Sequence, residues 1–364
     1  MLIKQLIELK SPYREMLMCT RFPLAQTVFC GRNISQRAAR RLETDPVGKI
    51  DSSCSSANMY VAAVPHPTSG IGHAFANWNA GFITANRLGF QFANIPLLHG
   101  WDEFLGFSNT GPNYHGLIKS RAVPVFSMPK ICGKAHDEID HFLQLIANVR
   151  SDTIFRLAFG QSLFDYSSNR KELGRLFRTN GNWKSLSVHL VPGRINVAVH
   201  LRRGDVSTMA EKHLGNWKLR FVSEDWFTRI MDAIPQVGLR YPPSFHIYSQ
   251  GQVSDFPELA ERTDVVFHLD ADEKETMLNM IKADILLMSP SGFSFLAGLL
   301  SEGLKIARIP WWHHLPDDDD WLLLEEPLTD DLELRIAAAM AKMGMTGGAS
   351  VAEPNLTKGG EGRL

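Results

Sequence analysis

Four polar side chains, two of them arginines, lie at the end of one apolar run. Residues 196–205 read NVAVHLRRGD and deliver His200, Arg202, Arg203 and Asp205 to one loop. An apolar, β-compatible run suits a strand buried in a parallel sheet, and open α/β sheets bind ligands at the carboxyl ends of their strands. Arginine grips phosphate through a planar fork of donors and stays charged at any ordinary pH. The segment therefore predicts a site for a phosphate-bearing anion.

Two other interpretations of this loop stay open. Arg203-Gly204-Asp205 is also the integrin-binding tripeptide, although that role needs an exposed flexible loop and here the tripeptide adjoins a predicted buried strand. A purely structural pairing of arginine with aspartate is the second alternative.

A glycine turn earlier in the chain offers another ligand contact. Residues 69–73 read SGIGH and stand between a predicted strand and a predicted helix. Gly70 and Gly72 let the backbone approach a ligand, and a helix amino terminus offers unpaired N–H groups to a diphosphate. An ordinary strand-to-helix turn is the alternative. The turn is not Gly-x-Gly-x-x-Gly and no Gly-Lys-Ser/Thr occurs, which disfavours dinucleotide oxidoreductases and P-loop NTPases.

A serine-rich turn after another apolar run offers a third contact. Residues 277–298 read MLNMIKADILLMSPSGFSFLAG. Hydroxyls and backbone amides at a helix start suit diphosphate binding, and an aromatic ring there could stack on a base. A structural turn is the alternative. The residues expected to contribute are Ser291, Gly292, Phe293 and Ser294.

In their order along the chain, the three segments resemble motifs of the fucosyltransferase superfamily, which includes the α1,2 and α1,6 enzymes and the protein O-fucosyltransferases. His-x-Arg-Arg-Gly-Asp resembles its first sugar-nucleotide motif, and the glycine turn resembles its Gly-x-Gly-Asn turn, with His73 in place of Asn. The resemblance covers about residues 59–316. It implies an α/β fold of the GT-B type, with two Rossmann-like lobes and a nucleotide-sugar cleft between them.

The resemblance also implies roles for the charged residues. Arg202 would pair with the β-phosphate of the nucleotide sugar and stabilise the charge that grows on the leaving oxygen. Arg203 would support the loop, while His200 and Asp205 would orient or contact nucleotide and phosphate. Since the superfamily uses arginine where many glycosyltransferases use a metal, we expect no metal ion and no other cofactor.

An acidic residue about one helix upstream of Asp284 contacts the guanine or ribose in the family. Glu275 is the nearest match in spacing, with Asp270 and Asp272 as competitors, and Asp284 belongs to the expected nucleotide-binding set. A carboxylate accepts two hydrogen bonds from guanine, which would select GDP over ADP or UDP.

The general base that an inverting transfer requires stays open. Its candidates, each of which would serve equally well as a structural residue, are His73, Asp102, Glu103 and Asp205. An aromatic floor for the acceptor sugar and ordinary core packing both explain three nearby residues, Trp101, Phe104 and Phe107.

Composition bounds the partners and the compartment. The chain has 364 residues, enough for two domains, and its 38 basic and 39 acidic residues leave a formal charge of −1. A net charge so close to zero gives no overall electrostatic attraction to nucleic acid or to an anionic membrane.

The four cysteines of the chain form no Cys-x-x-Cys pair, which disfavours zinc and fits free thiols in a reducing compartment. No apolar stretch approaches a membrane span, so we expect a soluble, cytoplasmic protein. We interpret the acidic run 317–320 as a solvated turn, with a calcium or magnesium site as the alternative.

Alternating patterns organise the chain into four parts. We expect a weakly ordered extension over 1–57, an acceptor-side lobe over 58–188, a nucleotide-sugar lobe over 189–344 and a disordered tail over 345–364. The first lobe is predicted to hold a strand at 59–64, helices at 74–88, 135–149 and 167–178, and long surface loops between 97 and 134. In the second lobe, predicted strands at 196–201, 245–249, 265–269, 285–289 and 305–309 alternate with helices at 223–234, 273–282 and 293–302, before a last helix at 332–343. This alternation predicts a doubly wound parallel sheet.

The sequence thus predicts inverting transfer of L-fucose from GDP-β-L-fucose to a hydroxyl of a glycan or glycoprotein. Two alternatives remain. One is the same fold with another nucleotide sugar, because no residue reads the fucose methyl group. The other is a catalytically silent carbohydrate-binding or scaffold homologue.

Overall fold

The computed structural model describes residues 57–65, 69–128, 149, 151–157, 167–207, 220–311 and 314–346. The predicted extension and tail lie almost wholly outside these residues, as does the predicted helix over 135–149 apart from its last residue. The described residues form two parallel sheets with helices packed on them, which confirms the predicted α/β class.

The first sheet holds four described parallel strands in the order β2-β1-β4-β3. These strands are Met59–Ala63 (β1), Gln91–Phe92 (β2), Val125–Ser127 (β3) and Thr153–Leu157 (β4). Its helices are Ile71–Leu88 (α1), Trp101–Leu105 (α2), Tyr114–Arg121 (α3) and Arg170–Asn180 (α4). Helix α1 begins three residues before its predicted start, directly after the extended Gly70, and ends at the left-handed Gly89 with φ 68°.

The segment predicted as long surface loops contains short helices and part of the core. Gly100 and Gly106, with φ 70° and 78°, bracket α2 in left-handed conformations that glycine adopts without steric cost. Trp101, Phe104 and Phe107 are buried, so the loop prediction is wrong here. These three aromatic residues pack into the core instead of lying on the surface.

The second sheet holds six described parallel strands in the order β10-β9-β8-β5-β6-β7. They are Ile195–His200 (β5), Pro243–Ser249 (β6), Val265–Leu269 (β7), Ile285–Met288 (β8), Leu304–Arg308 (β9) and Trp321–Leu324 (β10). The helices are Glu224–Ala233 (α5), Pro257–Ala260 (α6), Glu273–Lys282 (α7), Gly292–Leu300 (α8) and Leu332–Lys342 (α9). Counted within this lobe, the strand order is 3-2-1-4-5-6, the doubly wound order of Rossmann folds, which confirms the prediction.

One apolar cluster joins the two sheets. It contains Phe75 and Trp78 of α1, Phe155 of the first sheet, and Leu286 and Leu296 of the second lobe. Helices α1 and α8 therefore share a buried layer between the sheets. A second cluster, under α5 and α9, covers the opposite face of the second sheet.

The acidic run 317–320 is a largely exposed turn, as interpreted, and it also forms ion pairs with other elements. Asp318 and Asp320 lie 3.2 and 3.1 Å from the guanidinium of Arg170 at the start of α4. Asp320 also binds the ammonium of Lys305, which is completely buried in β9. The run thereby ties α4 to the second sheet.

The second lobe continues to Thr346. The N–H of Arg240 donates to the Met345 carbonyl, and Thr346 bridges Leu239, so both residues of the predicted tail that the structure describes pair with the lobe. Over the described ranges, every helix is too short or too polar to cross a membrane.

Candidate functional site

The carboxyl ends of β5 and β8 form the switch point of the second sheet. These strands are neighbours, and the chain continues from them towards opposite edges of the sheet, which opens a crevice where α/β sheets bind ligands. The Arg202 N–H donates to Ser289 Oγ at 3.0 Å, and the Ser289 N–H donates to the His200 carbonyl at 3.1 Å. These two bonds hold the His-x-Arg-Arg-Gly-Asp segment against the serine-rich turn.

The glycine turn of the first lobe meets the same place. A Cβ at Gly72 would lie 2.3 Å from the Gly292 carbonyl carbon and 2.6 Å from the Phe293 nitrogen. The first turns of α1 and α8 are therefore in backbone contact. The structure thus brings all three sequence motifs together. This helix contact is possible because Gly72 has no side chain. Gly70 is exposed, and no atom lies within 4 Å of its Cβ position.

Arg202 presents its guanidinium at the rim of this crevice. Its side chain is 31% exposed, and Nη2 lies 2.7 Å from Oδ1 of Asp205, which is 50% exposed. The pair spans i to i+3 over the left-handed Gly204, with φ 68°. Asp205 thus orients a cation that solvent, or an anionic ligand, can still reach.

Arg203 points into the protein. Its Nη1 donates to the carbonyls of Arg202 and Val222, both at 3.1 Å, and its guanidinium lies 4.5 Å from the Phe221 ring centroid. Burial lowers its pKa, against the opposing effect of Glu224. Arg203 therefore supports the loop from within, and its expected contact with a ligand stays a prediction.

His200 is a neutral, buried imidazole beside the switch point. Burial, followed by repulsion from Arg202 and Arg203, lowers its pKa to about 3. Its ring centroid lies 5.8 Å from that of Phe293, which in turn meets the Trp101 ring edge-on at 6.4 Å. Trp101 is 5% exposed, so the first lobe supplies one buried face of this aromatic group.

The serine hydroxyls of the third motif are bound within the protein. Ser291 Oγ accepts from the Phe293 N–H at 3.2 Å and so caps α8, while Ser294 donates to the Ser289 carbonyl at 2.7 Å. Ser294 is fully buried. These serines shape the turn, and the partly exposed members of the motif are Gly292 and Phe293.

The acidic candidates for reading a base all lie near the carboxyl end of β7. Asp272 caps α7 by accepting from the N–H groups of Lys274 and Glu275. Glu275 Oε1 accepts from the Ser187 N–H at 3.1 Å, and Asp270, in a left-handed conformation with φ 48°, accepts from Gly251. Each carboxylate already holds one backbone segment at this edge.

Asp284 is not part of this group. It precedes β8 and accepts from the Asn196 N–H at 2.7 Å, at the amino end of β5. A four-residue strand separates it from Ser289, so it lies at the opposite edge of the sheet. Its assignment to the nucleotide site is corrected on this ground.

The candidate bases separate by exposure. Asp102 is 1% exposed and accepts from Asn94 Nδ2 and the Leu97 N–H, and burial raises its pKa. It is therefore a structural anchor of the first lobe. His73, Glu103 and Asp205 are exposed, and His73 stands in the first turn of α1 next to the Gly72 contact. Within the described ranges, no three His, Cys, Asp or Glu side chains form a group able to hold a metal ion.

Comparison with known proteins adds similarity at the level of overall structure. POFUT1 in complex with GDP-fucose matches at TM-score 0.38 and 12% identity, over 72% of this chain and 97% of that one. The NodZ α-1,6-fucosyltransferase soaked with GDP-fucose matches at TM-score 0.39 and 13% identity, over 67% and 93%. The fucosyltransferase NodZ from Bradyrhizobium matches at TM-score 0.40 and 12% identity, over 68% and 94%. No protein-family model and no curated protein matches the chain. This chain is thus similar to solved fucosyltransferase structures.

One residue near the site, Lys274, was not predicted from the sequence. Lys274 lies in the first turn of α7 beside Glu275, and its Nζ reaches the His99 carbonyl of the first lobe at 2.8 Å. Its position next to a predicted ligand residue was the only signal in the sequence, because the partner lies 175 residues away.

Proposed function

We propose that the protein is a glycosyltransferase that moves L-fucose, with inversion, from GDP-β-L-fucose to a hydroxyl of a glycan or glycoprotein, without a metal ion. The observation that carries the proposal is Arg202, a partly exposed guanidinium at the switch point of a 3-2-1-4-5-6 sheet. Ligands of such sheets bind at this point, and a fixed cation there selects an anionic ligand.

The surroundings of Arg202 favour a diphosphate. Helix α8 begins at the same crevice, and the positive end of a helix dipole adds to the attraction for an anion. Because His200 stays neutral, the charged groups described at this crevice are Arg202 and Asp205. A diphosphate oxygen would compete with Asp205 for the guanidinium.

The chemistry that this arrangement supports is departure of the diphosphate. As the bond from the anomeric carbon to oxygen breaks, negative charge grows on the leaving oxygen. Ser289 fixes the Arg202 backbone and Asp205 orients its guanidinium, so that the guanidinium can stabilise that charge with little reorganisation. We assign acceptor deprotonation to His73, which α1 carries to the Gly292 contact. Glu275 would read the guanine.

Binding and transfer should be tested in sequence. Thermal unfolding with GDP, UDP, ADP and their sugars identifies the nucleotide, since a ligand at a hundred times its Kd stabilises the fold by about 2.7 kcal/mol. Transfer from GDP-fucose is then compared for the wild type and Arg202→Ala. The matched control is Arg175→Ala, because Arg175 also forms an exposed i to i+3 ion pair, with Glu172, but on α4.

We expect Arg202→Ala to lower transfer at least about a hundredfold, as for a lost transition-state contact of ~3 to 4 kcal/mol, and Arg175→Ala to leave it unchanged. Wild-type activity in Arg202→Ala would refute the assignment. A response to UDP or ADP sugars alone would replace fucose by another donor.

A non-catalytic carbohydrate-binding or scaffold protein is the second candidate. The Arg202–Asp205 ion pair favours it, since the Asp205 carboxylate already offsets the charge of the guanidinium and would compete with a phosphate for it. Absence of stabilisation by every nucleotide tested would support this candidate.

A further inference from the structure

A sharp turn of the first lobe reaches across to the second. The turn precedes α2, and His99 and Gly100 both adopt left-handed conformations, with φ 58° and 70°. His99 and Gly100 are exposed, whereas the next residue, Trp101, is buried. The conformation of this turn therefore sets where the Trp101 ring enters the site.

The first lobe fixes the turn from the inside. Asp102 accepts from the Leu97 N–H at 3.4 Å and from Asn94 Nδ2 at 3.2 Å, and Asn94 Oδ1 accepts from the Trp78 indole N–H at 2.8 Å. All of these groups belong to the first lobe. They hold the base of the turn and leave its tip to be fixed from elsewhere.

Lys274 fixes the tip from the second lobe. Its Nζ donates to the His99 carbonyl at 2.8 Å and lies 5.9 Å from the Trp101 ring centroid, within cation–π range. A Cβ at Gly100 would come within 3.0 Å of the same ammonium, so glycine also gives Lys274 its room. One cation thus contacts both the turn and the ring that the turn carries.

Two ring contacts connect Trp101 to the switch point. It meets Phe293 edge-on, at 6.4 Å and 86°, and Phe293 contacts His200 at 5.8 Å. We call Trp101 and Phe293 the aromatic wall. Lys274 therefore links the first turn of α7, which also carries Glu275, to a wall whose second member follows β8.

We propose that Lys274 is a positioning residue that holds the aromatic wall in place for the acceptor. This inference rests on the proposed function. Trp101 connects the first-lobe turn to Phe293 beside the switch point, so loosening this wall is expected to admit water next to the donor and to misplace the acceptor hydroxyl. Lys274 acts through Trp101 and does not contact the reacting atoms.

The test compares two lysines of the same helix. Lys282, in the last turn of α7, lies 3.9 Å from the Trp183 ring centroid, so Lys282→Met removes a cation–π contact without touching the wall. Lys274→Met is the test variant, and Lys274→Arg is the rescue because a guanidinium can donate to the same carbonyl. Each is measured for GDP affinity, transfer to acceptor, donor hydrolysis, and amide hydrogen exchange of residues 98–101.

We expect Lys274→Met to change GDP affinity less than about twofold and to lower kcat/KM for the acceptor about fivefold to tenfold, because Lys274 acts on the acceptor indirectly and through only part of the energy of its hydrogen bond and cation–π contact. Donor hydrolysis should rise relative to transfer, amides 98–101 should exchange faster, and Lys274→Arg should reverse both changes. Lys282→Met should match the wild type.

Equal transfer-to-hydrolysis ratios in Lys274→Met and Lys282→Met would overturn the inference, even if exchange in the turn were faster. A wild-type protein that binds no nucleotide would refute the proposed function itself. Wild-type nucleotide binding, measured first, separates these two failures.

Discussion

Replacing Gly72 by alanine is the most direct test of how the two lobes meet. The added Cβ would lie 2.3 Å from the Gly292 carbonyl carbon, 2.6 Å from the Phe293 nitrogen and 2.7 Å from the Gly292 Cα. All three are backbone atoms, so no side chain can rotate away. Ordinary contact begins near 3.4 Å, and the first turns of α1 and α8 would therefore have to separate by about 1 Å.

The cost follows from what α1 carries. Phe75 and Trp78, at 1% and 0% exposure, lie in the apolar cluster shared by both sheets, so displacing α1 disturbs that packing. Overpacking a close contact typically costs about 1 to 3 kcal/mol. Since the clash is with backbone, we expect a loss at the upper end, about 2 to 3 kcal/mol.

The sign of the effect is as informative as its size. Alanine is a better helix former than glycine by about 0.8 to 1 kcal/mol within a helix, so Gly72→Ala without the contact would be neutral or stabilising. Gly70→Ala is the matched control, because Gly70 has nothing within 4 Å of its Cβ position and a φ of −62° that alanine adopts freely. Its stability should stay within about 0.5 kcal/mol of the wild type.

Equilibrium urea unfolding of the three proteins measures these differences. A Gly72→Ala protein as stable as Gly70→Ala would refute the backbone contact between the lobes. The same result would also undo the juxtaposition of motifs on which the candidate site depends.

Two further predictions concern ionisable side chains whose charged form is affected by burial. Burial, followed by repulsion from His189 and His246, lowers the pKa of His268 to about 4 against 6.5 when unfolded, so its contribution to stability is complete above pH 6.5 and is lost as the pH falls towards 4. The Tm of His268→Gln should therefore fall less than the Tm of the wild type between pH 7 and 4.5. Equal falls in Tm for the two proteins would contradict this. Asp320→Ala should cost about 3 kcal/mol and Lys305→Met about 2 kcal/mol, because only the first leaves a charge in a fully buried place, and a reversed order in urea unfolding would contradict this.

The second lobe was predictable because its elements are regular and local. Strand β7 and helix α7 have their predicted bounds, and the other predicted elements of this lobe are displaced by one or two residues. Three of the five predicted strands are apolar runs followed directly by a predicted helix, the signal that a parallel sheet leaves in sequence. Strand β10 was missed because it has four residues and directly follows the acidic run, although its residues are apolar.

The first lobe was less predictable because its signals depend on distant contacts. Gly100 and Gly106 favoured loops, but here they bracket a helix of five residues whose aromatic side chains pack into the shared core. The ion pairs of the exposed acidic run were not predicted because Arg170, which pairs with Asp320, lies 150 residues away. The assignment of Asp284 failed for a different reason. Asp284 directly precedes β8, and this position places it at the amino end of the strand, whereas ligands bind at the carboxyl ends.

The positions of Gly72 and Arg203 in the structure change how the site is understood. Gly72 was expected to give a ligand room, and in the structure it gives room to the backbone of Gly292. Arg203 was expected beside Arg202, but it braces the loop from within. The guanidinium described at the crevice is then that of Arg202, held by Asp205, and the Asp205 carboxylate would repel an incoming diphosphate and compete with it for the guanidinium. If so, Asp205→Asn should strengthen GDP binding while weakening the orientation that transfer needs, and calorimetry with transfer assays on this variant would separate the two effects. Weaker GDP binding in Asp205→Asn would mean that Asp205 helps to bind the nucleotide instead of competing with it.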